Sequence, residues 1–253
     1  MIFYFTATGN SLYVAKQLDK SPISIPQLKS GMNFKDDTIG IVCPVYCGEI
    51  PKAVFNFIKN TKLETEYLFL ILTYGMDATD STEFTFNQCK KQGVQFDYIA
   101  CIKMVDNYLP AFDMAAEKKL DKQIPEQLSA IIKDIDGRKK GFPTATEAGR
   151  KLHKRVAMMN KIMPSANNGG SLIMTDKCVG CKICEKVCPI GNIKISNGSA
   201  KRLNKKCEFC LACIHNCPSN AIALKRERNP SERYRNENVT LEEIIDANNQ
   251  RKD

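Results

Sequence analysis

An α/β doubly wound parallel five-stranded sheet, followed by a small α+β domain organised around metal, is the fold class this sequence predicts. Short apolar stretches alternate with helical patterns through residues 1–136, the rhythm of strand–helix–strand units. The chain opens on an apolar run, a Thr/Gly/Ser loop and a helical pattern, in that order, and eight of its twelve cysteines crowd into residues 178–217. A length of 253 residues leaves room for one apolar core and a second, smaller unit held by other means. Residues 1–136 are assigned to the sheet domain, 137–164 to a basic helical linker, 165–224 to the cysteine-rich domain and 225–253 to a C-terminal tail.

Residues 1–5 read as a buried strand, 6–11 as a tight loop and 12–18 as the opening of a helix. Further strands are expected at 38–43, 67–73 and 96–103, a weaker one at 23–25, and helices at 51–59, 83–92 and 115–136. In such sheets ligands bind beyond the carboxyl ends of the strands, where the strand order reverses. Three loops belong there. Thr6, Thr8, Gly9, Asn10 and Ser11 offer hydroxyls, a glycine and the N–H groups of a helix start, which suit a phosphate, although the same residues also make an ordinary capping segment. Pro44, Tyr46 and Gly48 place an aromatic ring beside a glycine that permits close approach of a flat ligand, and Thr73, Tyr74 and Gly75 repeat that chemistry. Both tyrosines also suit packing on the sheet.

The cysteines form two runs of the pattern C-x2-C-x2-C-x3-C-P: Cys178, Cys181, Cys184 and Cys188 before Pro189, then Cys207, Cys210, Cys213 and Cys217 before Pro218. The runs are offset by 29 positions, and strands are expected after each, at 193–195 and 221–224, so the block is an internal repeat with the two sites side by side. A 4Fe-4S cube presents one iron corner per thiolate, and cysteines two residues apart wrap three corners in one loop while the fourth ligand comes from elsewhere. Structural zinc takes paired ligands and leaves the third cysteine of each run unexplained. Cys43, Cys47, Cys89 and Cys101 have no metal spacing and read as small buried residues, with Cys47 placed in a ligand-facing loop.

The N-terminal half resembles a flavodoxin: Thr6, Thr8, Gly9, Asn10 and Ser11 meet the family's T/S-x-T-G-x-T/S phosphate loop. That resemblance implies FMN, its phosphate in this loop and its ring between later loops, with Tyr46 and Tyr74 as ring contacts and Asn107 and Tyr108 as further ones. No Trp is present to supply the tryptophan often found on one ring face. The cysteine block resembles a bacterial two-cluster ferredoxin, in which the fourth cysteine of each run ligates the other cluster. The implied sets are Cys178, Cys181, Cys184 and Cys217 for one 4Fe-4S cluster, and Cys207, Cys210, Cys213 and Cys188 for the second. As a whole the chain resembles the fused flavodoxin/ferredoxin proteins. The resemblance implies an electron relay between two clusters and FMN with a redox partner protein, or an FMN-dependent reductase of a small molecule, or an iron–sulfur interaction or sensing module without flavin.

The net charge of +9 is uneven: −3 over residues 1–136, +7 over 137–164, +5 over 165–224 and zero over 225–253. The basic linker reads as a solvated face or as a docking surface for the acidic half or an acidic partner. It lacks the interleaved aromatics of a nucleic-acid site. His153 is expected to be solvated, and His215 to be a group beside the ligands or at the surface. The opening run is short, lacks a basic lead-in and reads as a strand, no stretch reaches membrane-span length, and dense cysteine in metal spacing points to a reducing cytoplasm. Residues 240–246 resemble a capped helix and the last residues are expected to fray.

Overall fold

The computed structural model describes residues 1–29, 31–163 and 168–250; the expected frayed end and the linker boundary at 164 lie outside the described residues. Strand β1 (Ile2–Tyr4) leads into helix α1 (Asn10–Leu18) and β2 (Ile23–Ser24), and then β3 (Asn33–Lys35), β4 (Thr38–Pro44), α2 (Lys52–Asn60), β5 (Lys62–Glu64), β6 (Tyr67–Tyr74), α3 (Ser81–Lys90) and β7 (Tyr98–Lys103) follow. Five of these strands form one parallel sheet in the order β2-β1-β4-β6-β7. Counted within the sheet alone this is the 2-1-3-4-5 flavodoxin-like order, with its reversal between β1 and β4. β3 and β5 make a separate parallel pair that sequence periodicity did not signal.

Strands β4 and β6 are apolar almost without interruption because both faces of the sheet are covered. Alternate side chains separate the two cores. Phe3, Ile39, Ile41, Leu70 and Leu72 pack with α2 and α3 residues Val54, Phe57, Ile58 and Cys89. Tyr4, Val42, Phe69 and Ile71 face α1, a later helix of the same half, and the C-terminal helix. At Gly40 the backbone passes the Phe69 ring so closely that an added Cβ would overlap it.

The single helix expected over 115–136 is two, α4 (Met114–Glu117) and α5 (Ile124–Asp136). Pro125 disfavours helical backbone in the residue before it but suits a helix start, and Gln123 just upstream takes a left-handed φ of 48°, so the chain restarts there. Helix α6 (Glu147–Ile162) follows, with the Thr146 hydroxyl capping the N–H of Gly149 at 3.0 Å.

Much of the linker docks. Arg138 pairs with Asp37 at 2.5 Å and Lys139 with Asp134 at 2.8 Å. Arg150 grips Glu83 with two bonds of 3.1 and 2.7 Å. The basic excess of the linker is thus partly spent on the acidic excess of the sheet domain. Among the described residues, no ion pair is seen for Lys154, Arg155 or Lys161, and these keep a solvated face. His153 corrects the expectation of a solvated side chain: it is buried, stacked edge-on against Phe84, with Nδ1 2.5 Å from Asp80 and Nε2 3.5 Å from Glu49.

In the cysteine-rich part, β8 (Leu172–Met174) precedes α7 (Ile183–Lys186), and β9 (Ile193–Ser196) and β10 (Ser199–Arg202) form a hairpin across Asn197-Gly198, both at positive φ as a tight primed turn requires. Helix α8 (Ala212–His215) and β11 (Ile222–Leu224) complete it, with β11 pairing antiparallel to β8. The tail is part of the core. Its helix α9 (Leu241–Asn248) starts on a capping box between Thr240 and Glu243 and buries Ile244 and Ala247 against the sheet. Among the described residues no helix is long and apolar enough to cross a membrane.

The pairing with Glu49, reinforced by the charge of Asp80, outweighs burial and holds the His153 pKa above its ordinary 6.5. A raised histidine pKa stabilises the fold fully below the unfolded value and loses that contribution as pH climbs through the folded value. The melting temperature of the wild type should therefore exceed that of His153→Gln by more at about pH 6 than at about pH 8.5. A difference that grows toward alkaline pH would contradict the buried charged pairing.

Candidate metal centre

The repeat in the sequence becomes a repeat in the backbone. Lys182 and Leu211 take left-handed φ values of 64° and 60°, and each is followed at once by a four-residue helix, so each run curls three cysteines around one space. One hollow is lined by Cys178, Cys181, Cys184 and Cys217. The other is lined by Cys207, Cys210, Cys213 and Cys188. Each space thus takes three cysteines from one run and the fourth from the other. Backbone N–H groups point at the fourth sulfur of each run from equivalent places, Asn192 donating to Cys188 and Ala221 to Cys217, both at 3.2 Å, and Phe209 donates to Cys207 at 3.3 Å.

Among the described residues no three His, Cys, Asp or Glu side chains converge as a single ion would need. Four thiolates spread around a cavity are the donor set for a cube, whose irons sit at separate corners. A family model described as a 4Fe-4S dicluster domain matches residues 177–222. No curated protein matches the chain. That match supports iron–sulfur chemistry and, in general terms, electron transfer.

The two cavities differ in surroundings. The first faces outward: Cys181 is exposed and Val179 beside it is 71% exposed, between exposed Lys177 and Lys182. The second lies against the sheet domain. Its Cys210 belongs to the same apolar cluster as Val42, Phe69 and Val239. Glu208 reaches across to the start of α2, where its two carboxylate oxygens accept the N–H groups of Lys52 and Ala53 at 3.0 and 2.8 Å. A carboxylate at a helix N-terminus satisfies orphan donors and the positive end of the dipole. Burial raises its pKa in spite of those bonds.

The loops at the carboxyl end of the sheet do come together. Ser11 and Thr73 share a hydroxyl hydrogen bond of 2.8 Å, the Asn107 amide donates to the Thr8 hydroxyl at 2.9 Å, and Asp106 accepts from the N–H groups of Met76 and Tyr108, both at 2.9 Å. The space over the first loop is filled by the chain's own tail. The N–H of Asn236 donates to the Thr8 carbonyl at 2.8 Å, and Asn248 donates to the Thr6 carbonyl at 3.0 Å. The Asn10 side chain accepts the Tyr234 hydroxyl at 2.6 Å and the Asn236 amide at 3.2 Å. Gly9, at φ 100°, lies so near the tail that an added Cβ would sit 2.9 Å from that of Asn236 and 3.0 Å from that of Val239. Thr6, Thr8 and Ser11 are all buried.

The other proposed contacts are scattered. Pro44 ends β4, and Tyr46 packs against the Cys210 cluster. Gly48 lies against the His153 ring, Tyr74 ends β6 with Gly75 pressed on Asp106, and Tyr108, 41% exposed, meets Phe209 edge-on at 6.4 Å. Cys43 and Cys89 are buried as expected, but Cys101 is only half-buried and Cys47 is exposed.

Glu208, His215, Tyr234, Asn236 and Asn248 were not picked out from sequence as joining the two halves, since each is a lone polar residue without spacing. His215 is buried and bridges three segments: Nδ1 accepts the Tyr234 N–H at 3.1 Å, which leaves Nε2 to donate to the Asn107 carbonyl at 2.8 Å. Burial lowers its pKa to about 4, in keeping with that neutral tautomer. Glu208→Ala should lower stability by about 0.5–2 kcal/mol, the usual worth of a helix cap, and leave iron content intact. A thermal melt and an iron assay on the same preparation check both halves of that expectation.

Proposed function

We propose that the protein is a one-electron carrier with two 4Fe-4S clusters, one held by Cys178, Cys181, Cys184 and Cys217 and the second by Cys207, Cys210, Cys213 and Cys188, and that residues 1–136 act as the scaffold on which the cluster domain is docked. The observation that carries this reading is the three-plus-one lining of each cavity. When bound, a cluster supplies a one-electron couple. The backbone N–H groups of Asn192, Ala221 and Phe209 donate to ligand sulfurs and so favour their negative charge. The outward set, flanked by Val179, Lys177 and Lys182, is where a redox partner protein would exchange electrons. The inward set packs through Cys210 against the sheet domain.

FMN does not fit the residues in this arrangement. The polar side chains of Thr6, Thr8, Asn10 and Ser11 all have protein partners, two loop carbonyls are engaged by the tail, and Gly9, the place where a phosphate would approach, is in contact with Asn236 and Val239. A relay through FMN, or a flavin-dependent reductase, would require residues 234–248 to leave the loop. The reading of a fused flavodoxin/ferredoxin architecture without flavin is therefore preferred, and no step is routed through one.

Anaerobic purification with iron, sulfide and flavin counts on one sample tests the reading. About eight irons per chain are expected, with no FMN retained and none bound when it is added. Cys217→Ala and Cys188→Ala should each remove about half the iron, from different clusters. Zinc in place of iron would overturn the cluster assignment. One FMN bound per chain would overturn the scaffold role and restore the relay.

A further inference from the structure

Tyr46 stands at the switch point of the sheet, where a flavin ring would be expected, and it is turned to another use. It opens a two-residue hairpin in which its N–H donates to the Glu49 carbonyl at 2.8 Å and the Glu49 N–H donates back at 3.1 Å. Cys47 and Gly48 supply the two positive φ values, 55° and 88°, that such a turn needs. The ring of His153 lies where a Cβ on Gly48 would go, so α6 holds the turn from outside. The Tyr46 ring is wedged between both cores of the sheet domain, one of which includes Cys210 and Ala212. Its hydroxyl is buried and, among the described residues, has no hydrogen-bond partner.

A buried tyrosine hydroxyl without an acceptor is costly, and a native fold rarely leaves one. The ionisable groups around this hydroxyl are Cys210, Glu208, Cys43 and Cys207, and a tyrosine O–H is a hydrogen-bond donor at neutral pH. The two oxygens of Glu208 are already committed to the N–H groups of Lys52 and Ala53. Cys43 is a fully buried thiol within β4. Of the groups around it, the sulfurs of Cys210 and Cys207 in the second cysteine set are left uncommitted.

We propose that the Tyr46 hydroxyl donates a hydrogen bond to sulfur at the Cys210 corner of the second cluster and so raises the potential of that cluster alone. The inference rests on the two-cluster reading above. Reduction adds negative charge to the cluster, and a donor aimed at its sulfur stabilises the reduced state more than the oxidised one. Tyr46 is therefore a positioning and tuning residue contributed by the sheet domain, which gives the docked scaffold a direct hold on electron flow between the outward and inward sites.

The test is protein-film voltammetry of the full chain with its clusters, comparing wild type with Tyr46→Phe, an exchange that keeps the ring. Cys181→Ser, which alters a ligand of the outward cluster, identifies which of the two waves is which. Tyr46→Phe should retain the wild-type iron count, move the inward wave to more negative potential and leave the outward wave in place. Resonance Raman spectra of the Fe–S stretching region should show an H2O-to-D2O shift in wild type that Tyr46→Phe reduces. An unmoved inward wave with full iron content would overturn the hydrogen bond while leaving the two-cluster reading standing. Movement of both waves together would overturn it in favour of altered docking. A wild-type protein without the inward cluster would overturn the two-cluster reading itself.

Discussion

Asn10 ties the carboxyl end of the sheet to the last part of the chain. Its amide nitrogen donates to the Val105 carbonyl at 3.1 Å while its oxygen accepts from Tyr234 and Asn236. The loops at that end of a parallel sheet carry polar groups that are costly to bury unpaired. Here they are satisfied by protein. Once the tail supplies those partners, the cysteine-rich segment between linker and tail is brought down on the sheet, and Val187, Cys210, Ala212, Ile244 and Ala247 share one apolar cluster with Leu12, Val42 and Phe69.

That closure makes the two cysteine sets unequal although the sequence repeat makes them equivalent. The outward set meets solvent through Cys181, with lysines nearby. The inward set packs through Cys210 into the apolar cluster of the sheet domain, and Glu208 fastens its loop to α2 by a charge-assisted cap. An electron entering at one set and resting at the other would meet different dielectric surroundings, and burial disfavours the more highly charged state.

The linker follows an electrostatic logic of its own beside the Gly48 turn. Arg150 and His153 face the acidic residues Glu83, Asp80 and Glu49, and the packing of α6 brings the His153 ring against Gly48. The +7 charge of residues 137–164 is therefore not one uniform solvated surface. The inner side pairs with the acidic domain, while Lys154, Arg155 and Lys161 remain outside.

The sequence by itself determined the parallel α/β sheet and the two cysteine runs, because both are written in local terms. Apolar runs of strand length covered by helices specify the sheet, and C-x2-C-x2-C-x3-C-P specifies how a chain wraps a cube. The pairing of Cys188 with the second run and Cys217 with the first came from a family resemblance and reappears in the linings of the two cavities. Tertiary structure alone decided what covers the Thr6–Ser11 loop and where Tyr46 faces. Asn10 and Tyr234 are more than two hundred positions apart in sequence, and no periodicity links them. A phosphate loop and a loop capped by its own tail use the same Thr, Gly, Asn and Ser residues, since both require donors and acceptors at a helix start. Only the long-range contact reveals which partner those groups have taken.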